Sequence, residues 1–377
     1  MQYRKLGNTG FEISIASAGI FQLDFVAGAL DRDRFDEQLA AVRLAIDGGV
    51  NALNLGFLCH VEDPEPYAEK VRALLKEGYR QKIKIFLNVP MTSTKVPADL
   101  DACLDRQLSW FGLDFADYCL LEDLERFKWA HAESMGAVAW LSEKKAEGKI
   151  LNAGFDFHDD CFFLKGVFEA GGWQCAQFRY SFMDGTRHPG FSGIKYAVDA
   201  GVGLVATDPF KGRRLLDASR APEAVRALWS GAKTWRAVEE WALLWIWDDP
   251  RVSSVFTSFK DPDEAARVLA CADAPEPLDM ASEILINNVV DAYHKRRVFQ
   301  CTACRCCMPC PVGVDAPRIT ALYNDCLVYG DVRIPKFQYG IEGLAEPACL
   351  FCGACSRRCP REYDMSGAVR KARALFA

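Results

Sequence analysis

What this sequence lacks narrows its function before any motif is read. It has no excess of positive charge: 45 Lys and Arg against 51 Asp and Glu leave a net charge of −6, which argues against a nucleic-acid partner. Its opening, Met1-Gln2-Tyr3-Arg4-Lys5-Leu6-Gly7, lacks the apolar core of a signal peptide. No window approaches the ~18 uninterrupted apolar residues that a membrane span needs, so none is expected. No G-x-G-x-x-G follows the first predicted strand, which counts against an open dinucleotide-binding sheet. Histidine is scarce, at five residues. Cysteine is not: there are 16. In a chain without export signals that number points to metal ligation in a reducing, cytoplasmic compartment rather than to disulfides.

Eight of the cysteines fall into two blocks. Cys301, Cys304, Cys307 and Cys310 precede Pro311, and Cys349, Cys352, Cys355 and Cys359 precede Pro360. With Cys306 set aside, both blocks read C-x2-C-x2-C-x3-C-P. This is the bacterial ferredoxin run, in which the fourth cysteine of each block ligates the cluster of the other. Zinc sites show paired C-x2-C arms instead. The pattern therefore predicts two [4Fe-4S] clusters. The charge divides in keeping with it: residues 298–377 hold ten Lys and Arg and seven Asp and Glu, a net of +3, suited to anionic clusters. Met308 and Phe351 are expected to shield the clusters from water. Cys306 and Cys326 are extra cysteines in this region, and Cys306 is expected to pack against a cluster rather than ligate one.

Upstream of the cysteines, the sequence alternates. Residues 3–20 read as a hairpin, turning at Asn8-Thr9-Gly10, and then a strand. Short apolar strands at 50–55, 83–87, 118–121, 150–155, 175–178, 202–206 and 252–256 then alternate with helices at 33–48, 65–78, 98–111, 128–147, 160–170, 192–200, 221–247 and 262–271. Apolar strands separated by amphipathic helices imply a parallel sheet covered on both faces. About eight such units in this length suit a (β/α)8 barrel. The division expected is a barrel over 1–276, a connecting helix over 277–297, and a small α-helical, two-cluster ferredoxin-like domain over 298–377.

Several stretches resemble the aldo/keto reductase family, in particular its branch with a C-terminal dicluster ferredoxin domain. They are Tyr3-Arg-Lys-Leu-Gly, Ala45-Ile-Asp-Gly-Gly-Val-Asn51, Lys76-Glu-Gly-Tyr-Arg80, Gly154-Phe-Asp-Phe-His-Asp159 and Asp208-Pro-Phe-Lys-Gly212. The resemblance implies a catalytic Asp, Tyr, Lys and His at the strand ends and NADPH as hydride donor. Those four positions here hold Asn54, Cys59, Pro90 and Glu122, which together offer neither the phenol nor the lysine that tunes it. The nicotinamide stretch keeps Tyr180, with Ser181 beside it. The phosphate-binding stretches keep Lys211, Gly212, Arg213, Lys260 and Arg267, so NADP(H) stays open as a cofactor without strong support.

The residues that remain at the barrel mouth as candidates for catalysis are Asn54, Cys59, His60, Glu122, His158 and Arg179. Cys59 reads either as a reactive thiol or as a small residue filling a vacated tyrosine site. Arg179 would hold an anionic substrate or pair with Glu122. His60 and His158 would move protons or serve structure. The function expected is an iron–sulfur oxidoreductase that relays electrons between an external donor or acceptor protein and a small-molecule substrate. The alternatives are a degenerate barrel serving as a redox subunit, and an NADPH-dependent reductase with a rebuilt acid/base set.

Overall fold

The computed structural model describes residues 1–20, 32–56, 63–159, 161–185, 189–302 and 304–377. They form two compact units. One comprises Met1–Lys211 and Arg236–Leu278, the other Gly212–Trp235 and Asp279–Ala377.

The first unit is a closed barrel of eight parallel strands: β3 (Ala16–Gly19), β4 (Ala52–Asn54), β5 (Lys84–Pro90), β6 (Ala116–Leu124), β7 (Ile150–Phe157), β8 (Cys175–Arg179), β9 (Gly203–Thr207) and β10 (Ser254–Thr257). Neighbours in sequence are neighbours in the sheet, and β10 closes on β3. The helices between them are α1 (Arg32–Asp47), α2 (Glu65–Leu74), α3 (Pro97–Phe111), α4 (Arg126–Ser134), α5 (Ala137–Ala146), α6 (Cys161–Glu169), α7 (Gly190–Asp199), α9 (Val238–Trp247) and α10 (Pro262–Asp273). α8 (Glu223–Ser230) lies in the second unit.

The helix expected over 128–147 is two helices. Gly136, at φ 68°, takes the left-handed conformation that a residue with a Cβ avoids, and the chain restarts there as α5. The stretch expected over 221–247 is likewise divided, because α8 stops at Gly231 and α9 begins anew with Glu240 accepting from the Ala237 N–H at 2.8 Å. β5, β6 and β7 run two or three residues past their expected ends. That extension carries the polar residues of the next section to the barrel's open end.

Alternation along each strand fills the barrel. Ala52, Phe86, Tyr118, Leu120, Cys175, Val205 and Phe256 meet on its axis. Phe86 and Tyr118 stack with centroids 4.2 Å apart, and Phe256 meets Phe86 edge-on at 5.0 Å. The antiparallel hairpin of β1 (Tyr3–Lys5) and β2 (Glu12–Ser14) plugs one end, since its Leu6 and Ile13 join the same cluster. The closure is tight. A Cβ on Gly7 would lie 2.3 Å from the Gly203 nitrogen, so only glycine fits there.

The second unit is helical: α8, α11 (Met280–His294), α12 (Ala316–Tyr329), α13 (Arg333–Ile341), α14 (Ala354–Arg357) and α15 (Met365–Phe376). α11 packs on α8, and α12 packs on α13 and α15. Val314, Ile319, Leu322, Tyr339, Val369 and Phe376 form its core. Cys326 is buried among them, and burial pushes its thiol up to about 12, as expected of an inert packing cysteine. Cys119 and Cys175 are likewise buried, and Cys103 and Cys271 half-buried.

The barrel core yields a direct test. Phe86→Ala removes the ring that bridges Tyr118 and Phe256. It should destabilise the chain by about 3–5 kcal/mol in urea unfolding, whereas a loss under 1 kcal/mol would mean the axis collapses around the gap.

Candidate functional site

The open end of the barrel is lined by the last inward-facing residue of each strand. Asn54, closing β4, donates from Nδ2 to Asn88 Oδ1 at 3.3 Å and to Gln177 Oε1 at 3.2 Å. Its own Oδ1 accepts the Gly56 N–H at 2.9 Å. Gln177 is on β8, across the barrel from β4, so these bonds span the interior. All three amides are buried. Pro90, ending β5, stands beside Glu122 of β6 in register, and Glu122 is buried. The mouth floor is thus polar, with the Glu122 carboxylate buried near neutral amides.

A second, charged group sits where β6 ends. The register between β6 and β7 shifts between Leu121 and Leu124, a bulge that re-aims the side chains within it. Asp123 in that bulge has φ 57°. It pairs with Lys128 of α4 and faces His158 Nδ1 at 3.6 Å. His158 Nε2 in turn bonds Asp156 Oδ2 at 2.6 Å. Burial pushes the Asp123 carboxyl up, but His158, Lys128 and Arg179 outweigh it and hold it down at about 2. Asp156 is buried, and its Oδ1 has no hydrogen-bond partner among the described residues. His158 is thus an imidazole held between two carboxylates. Arg179 is exposed at the end of β8 and acts on Asp123.

The sequence reading named Asn54, Glu122, His158 and Arg179, and all four lie at strand ends on this side of the barrel. Cys59 and His60 lie outside the described residues. Asp123, Lys128, Asp156, Asn88 and Gln177 were not named. A Glu-Asp pair at a strand end was the available signal for Asp123, but the bulge that turns it toward His158 leaves no mark in the sequence.

The cofactor candidates are mostly committed to local partners. Tyr180 is buried, with its ring 5.0 Å from Trp245 and 6.4 Å from Phe191, and burial pushes its hydroxyl upward. Ser181 donates to Asp184 Oδ2 at 2.9 Å, and Lys211 pairs with the same carboxylate. Lys260 lies 3.5 Å from Asp261, the N-cap of α10, and Arg267 donates to Glu239 at 3.0 Å. Gly212 and Arg213 belong to the second unit, both with left-handed φ, and a Cβ on Gly212 would meet Ile334 at 2.6 Å.

In the second unit, Cys310, Cys349, Cys352 and Cys355 line one cavity with Val314, Ala316, Leu350 and Val369. These are the last cysteine of the first block and the first three of the second. Cys307 is buried, which pushes its thiol up to about 11, and it lies within electrostatic reach of Cys301, Cys304 and Cys355. Cys306 is exposed and hydrogen-bonds Cys304, with Cys359 in electrostatic reach. Among the described residues no group of three or more His, Cys, Asp or Glu side chains could hold a single metal ion. Among them, too, no helix is long and apolar enough to cross a membrane.

A parallel eight-stranded barrel with a polar, titratable mouth defines an α/β-barrel enzyme fold, and the comparisons give it a family. The aldo/keto reductase family model matches residues 26–284: the chain belongs to that family, whose members are oxidoreductases. Solved structures agree on the fold. An aldo-keto reductase of Bacillus halodurans in its holo form superposes with a TM-score of 0.62 at 18% identity, covering 77% of this chain and 96% of that one. An aldo-keto reductase of Klebsiella pneumoniae in complex with NADPH gives 0.60 at 14% identity over the same shares. Another from that organism, in complex with NADP and acetate, gives 0.61 at 13%. Among curated proteins no match is found.

The Asp123 group makes a pH prediction. Its folded pKa, about 2, lies below the ~3.9 of an unfolded aspartate. The stabilisation is therefore present above about pH 4 and lost as pH falls toward 2. Asp123→Asn should be less stable than the parent at pH 6, with the gap closing between pH 4 and 2 in urea unfolding. A gap that stays constant over that range would contradict the placement of this carboxylate.

Proposed function

We propose that the chain is an iron–sulfur oxidoreductase of the aldo/keto reductase superfamily, acting on a small, anionic substrate at the barrel mouth without the family's usual tetrad. The observation that carries this reading is the cavity shared by Cys310 with Cys349, Cys352 and Cys355. Crosswise membership is what the ferredoxin run requires: three cysteines of one block and the fourth of the other. The donor chemistry fits, because four cysteine sulfurs stand around an apolar-walled space. A four-iron cube distributes its thiolates over four metal atoms, so ligands spaced around a cavity suit it where a single ion would need them converging. By the same pattern, Cys301, Cys304, Cys307 and Cys359 would form the second set. The clusters, when bound, would supply transfer of single electrons.

At the barrel mouth the chain's own residues supply the rest. Asn54, Asn88 and Gln177 offer a buried amide bed to orient a polar substrate. Arg179 offers a positive group for an anion. His158 is positioned by Asp156 through Nε2, which leaves Nδ1 as the atom at which a proton is held or passed. On this reading Asn54, Pro90 and Glu122 replace the family's acid set, and proton transfer moves to the end of the fifth barrel strand.

A second reading keeps NADP(H) as hydride donor. It is favoured by the neighbours described in complex with NADPH and NADP. Against it stand the ion pairs that occupy Lys211 and Arg267.

Protein purified without oxygen should carry about eight iron and eight acid-labile sulfide per chain, and Cys355→Ala about half as much. Iron without sulfide, or no iron after anaerobic reconstitution, would overturn the reading. With chemically reduced protein, no nicotinamide, and a panel of small carboxylate and carbonyl substrates, His158→Asn should lower kcat about 100-fold at unchanged iron content. Nicotinamide fluorescence that shifts on mixing with micromolar NADPH would favour the second reading instead.

A further inference from the structure

The second unit presents a surface that the barrel chemistry does not use. Cys352 is exposed, unlike the half-buried Cys310, Cys349 and Cys355 that share its cavity. Just before it in sequence two large apolar side chains reach solvent: Leu350, of the cavity wall, is 67% exposed and its neighbour Phe351 43%. Phe351 holds a left-handed backbone, φ 53°, which turns the loop outward at a cost a bulky residue seldom bears without a reason.

Cations surround this apolar spot. Arg370 lies over the Phe351 ring with its guanidinium carbon 4.6 Å from the centroid. Arg357 donates to the Cys352 carbonyl at 3.0 Å, and Arg358 to the Pro309 carbonyl at 3.0 Å, which pins both blocks under one basic rim. Between residues 345 and 377 there are six Lys and Arg against three Asp and Glu. Of those three, Asp364 is committed to capping α15 and to Ser356 and Ser366. In a chain of net charge −6, a basic rim around an exposed apolar centre marks a contact surface rather than ordinary solvent-facing composition.

We propose that Leu350 and Phe351, ringed by Arg357, Arg358 and Arg370, form the docking site for an acidic, one-electron carrier protein. The proposal rests on the cluster reading above. Opposite charge would speed and orient the encounter, and the apolar centre would set the contact beside Cys352, the exposed member of the cavity's cysteines. In each encounter one electron passes, so one protein is oxidised and the other reduced by the same single electron, and no bond is made or broken.

Binding tests this apart from turnover. Flavodoxin, an acidic one-electron carrier, and cytochrome c, a basic one, would be titrated into the anaerobically purified full chain by calorimetry at low and high salt. Flavodoxin should bind, with affinity falling at least tenfold between about 20 and 200 mM salt, while cytochrome c should not bind. Arg357→Glu and Arg370→Glu should each weaken flavodoxin at least fivefold at unchanged iron and sulfide content, and Leu350→Ser should weaken it without changing the salt dependence. Tighter binding of cytochrome c, or flavodoxin binding untouched by both charge reversals, would overturn the proposal. Absent iron and sulfide would instead count against the cluster reading on which it rests.

Discussion

One geometric constraint governs the barrel unit: parallel strands in fixed register must send every second side chain inward, and closure leaves the inward set nowhere else to go. Ala52, Phe86, Tyr118, Cys175, Val205 and Phe256 meet because of it. The same alternation, two residues further along, puts Asn54, Asn88 and Gln177 into mutual reach. The polar mouth is therefore the continuation of the apolar core, and its residues are held as rigidly as the core is packed. The one departure from the register among the described residues, the bulge at Glu122 and Asp123, is where the charged group arises.

Much of this was legible. The alternation of apolar runs and helices predicted the barrel, and the structure supplies it with eight closed strands. Asn54 and Glu122 were readable because they stand where the family resemblance places catalytic residues, His158 because it lies in a family-like loop, and Arg179 because it follows an apolar strand. What was not readable depends on backbone events without a compositional mark. The chain breaks at Gly136 inside an otherwise helical pattern. Gly212–Trp235 groups with Asp279–Ala377 and not with the barrel whose sequence surrounds it. The pairing of Lys128 with Asp123 has no signal in the sequence. The commitments of Lys211 to Asp184 and Arg267 to Glu239 are pairings across distant sequence, and they weaken a cofactor reading that rested on residue type alone.

The two units divide the chemistry. The barrel mouth carries Asp123, Asp156, His158 and Arg179, and the helical unit carries ten of the 16 cysteines, on which the proposed electron transfer rests. Its core of Val314, Ile319, Leu322, Val369 and Phe376 is small, and the cysteine loops lie against it. Bound clusters would stabilise those loops through their ligand bonds, as metal binding does in small domains. Cys119 and Cys175 are buried on barrel strands and Cys326 in the helical core, where each packs as a small apolar side chain.

The most direct test of the central claim is electron paramagnetic resonance of the anaerobically purified chain, first partly and then fully reduced. Two clusters sharing ligand blocks crosswise should give about two unpaired spins per chain at full reduction, with a signal split by their mutual coupling that is absent when only one is reduced. A single uncoupled signal integrating to one spin, or no signal from protein that retains its fold, would contradict the account.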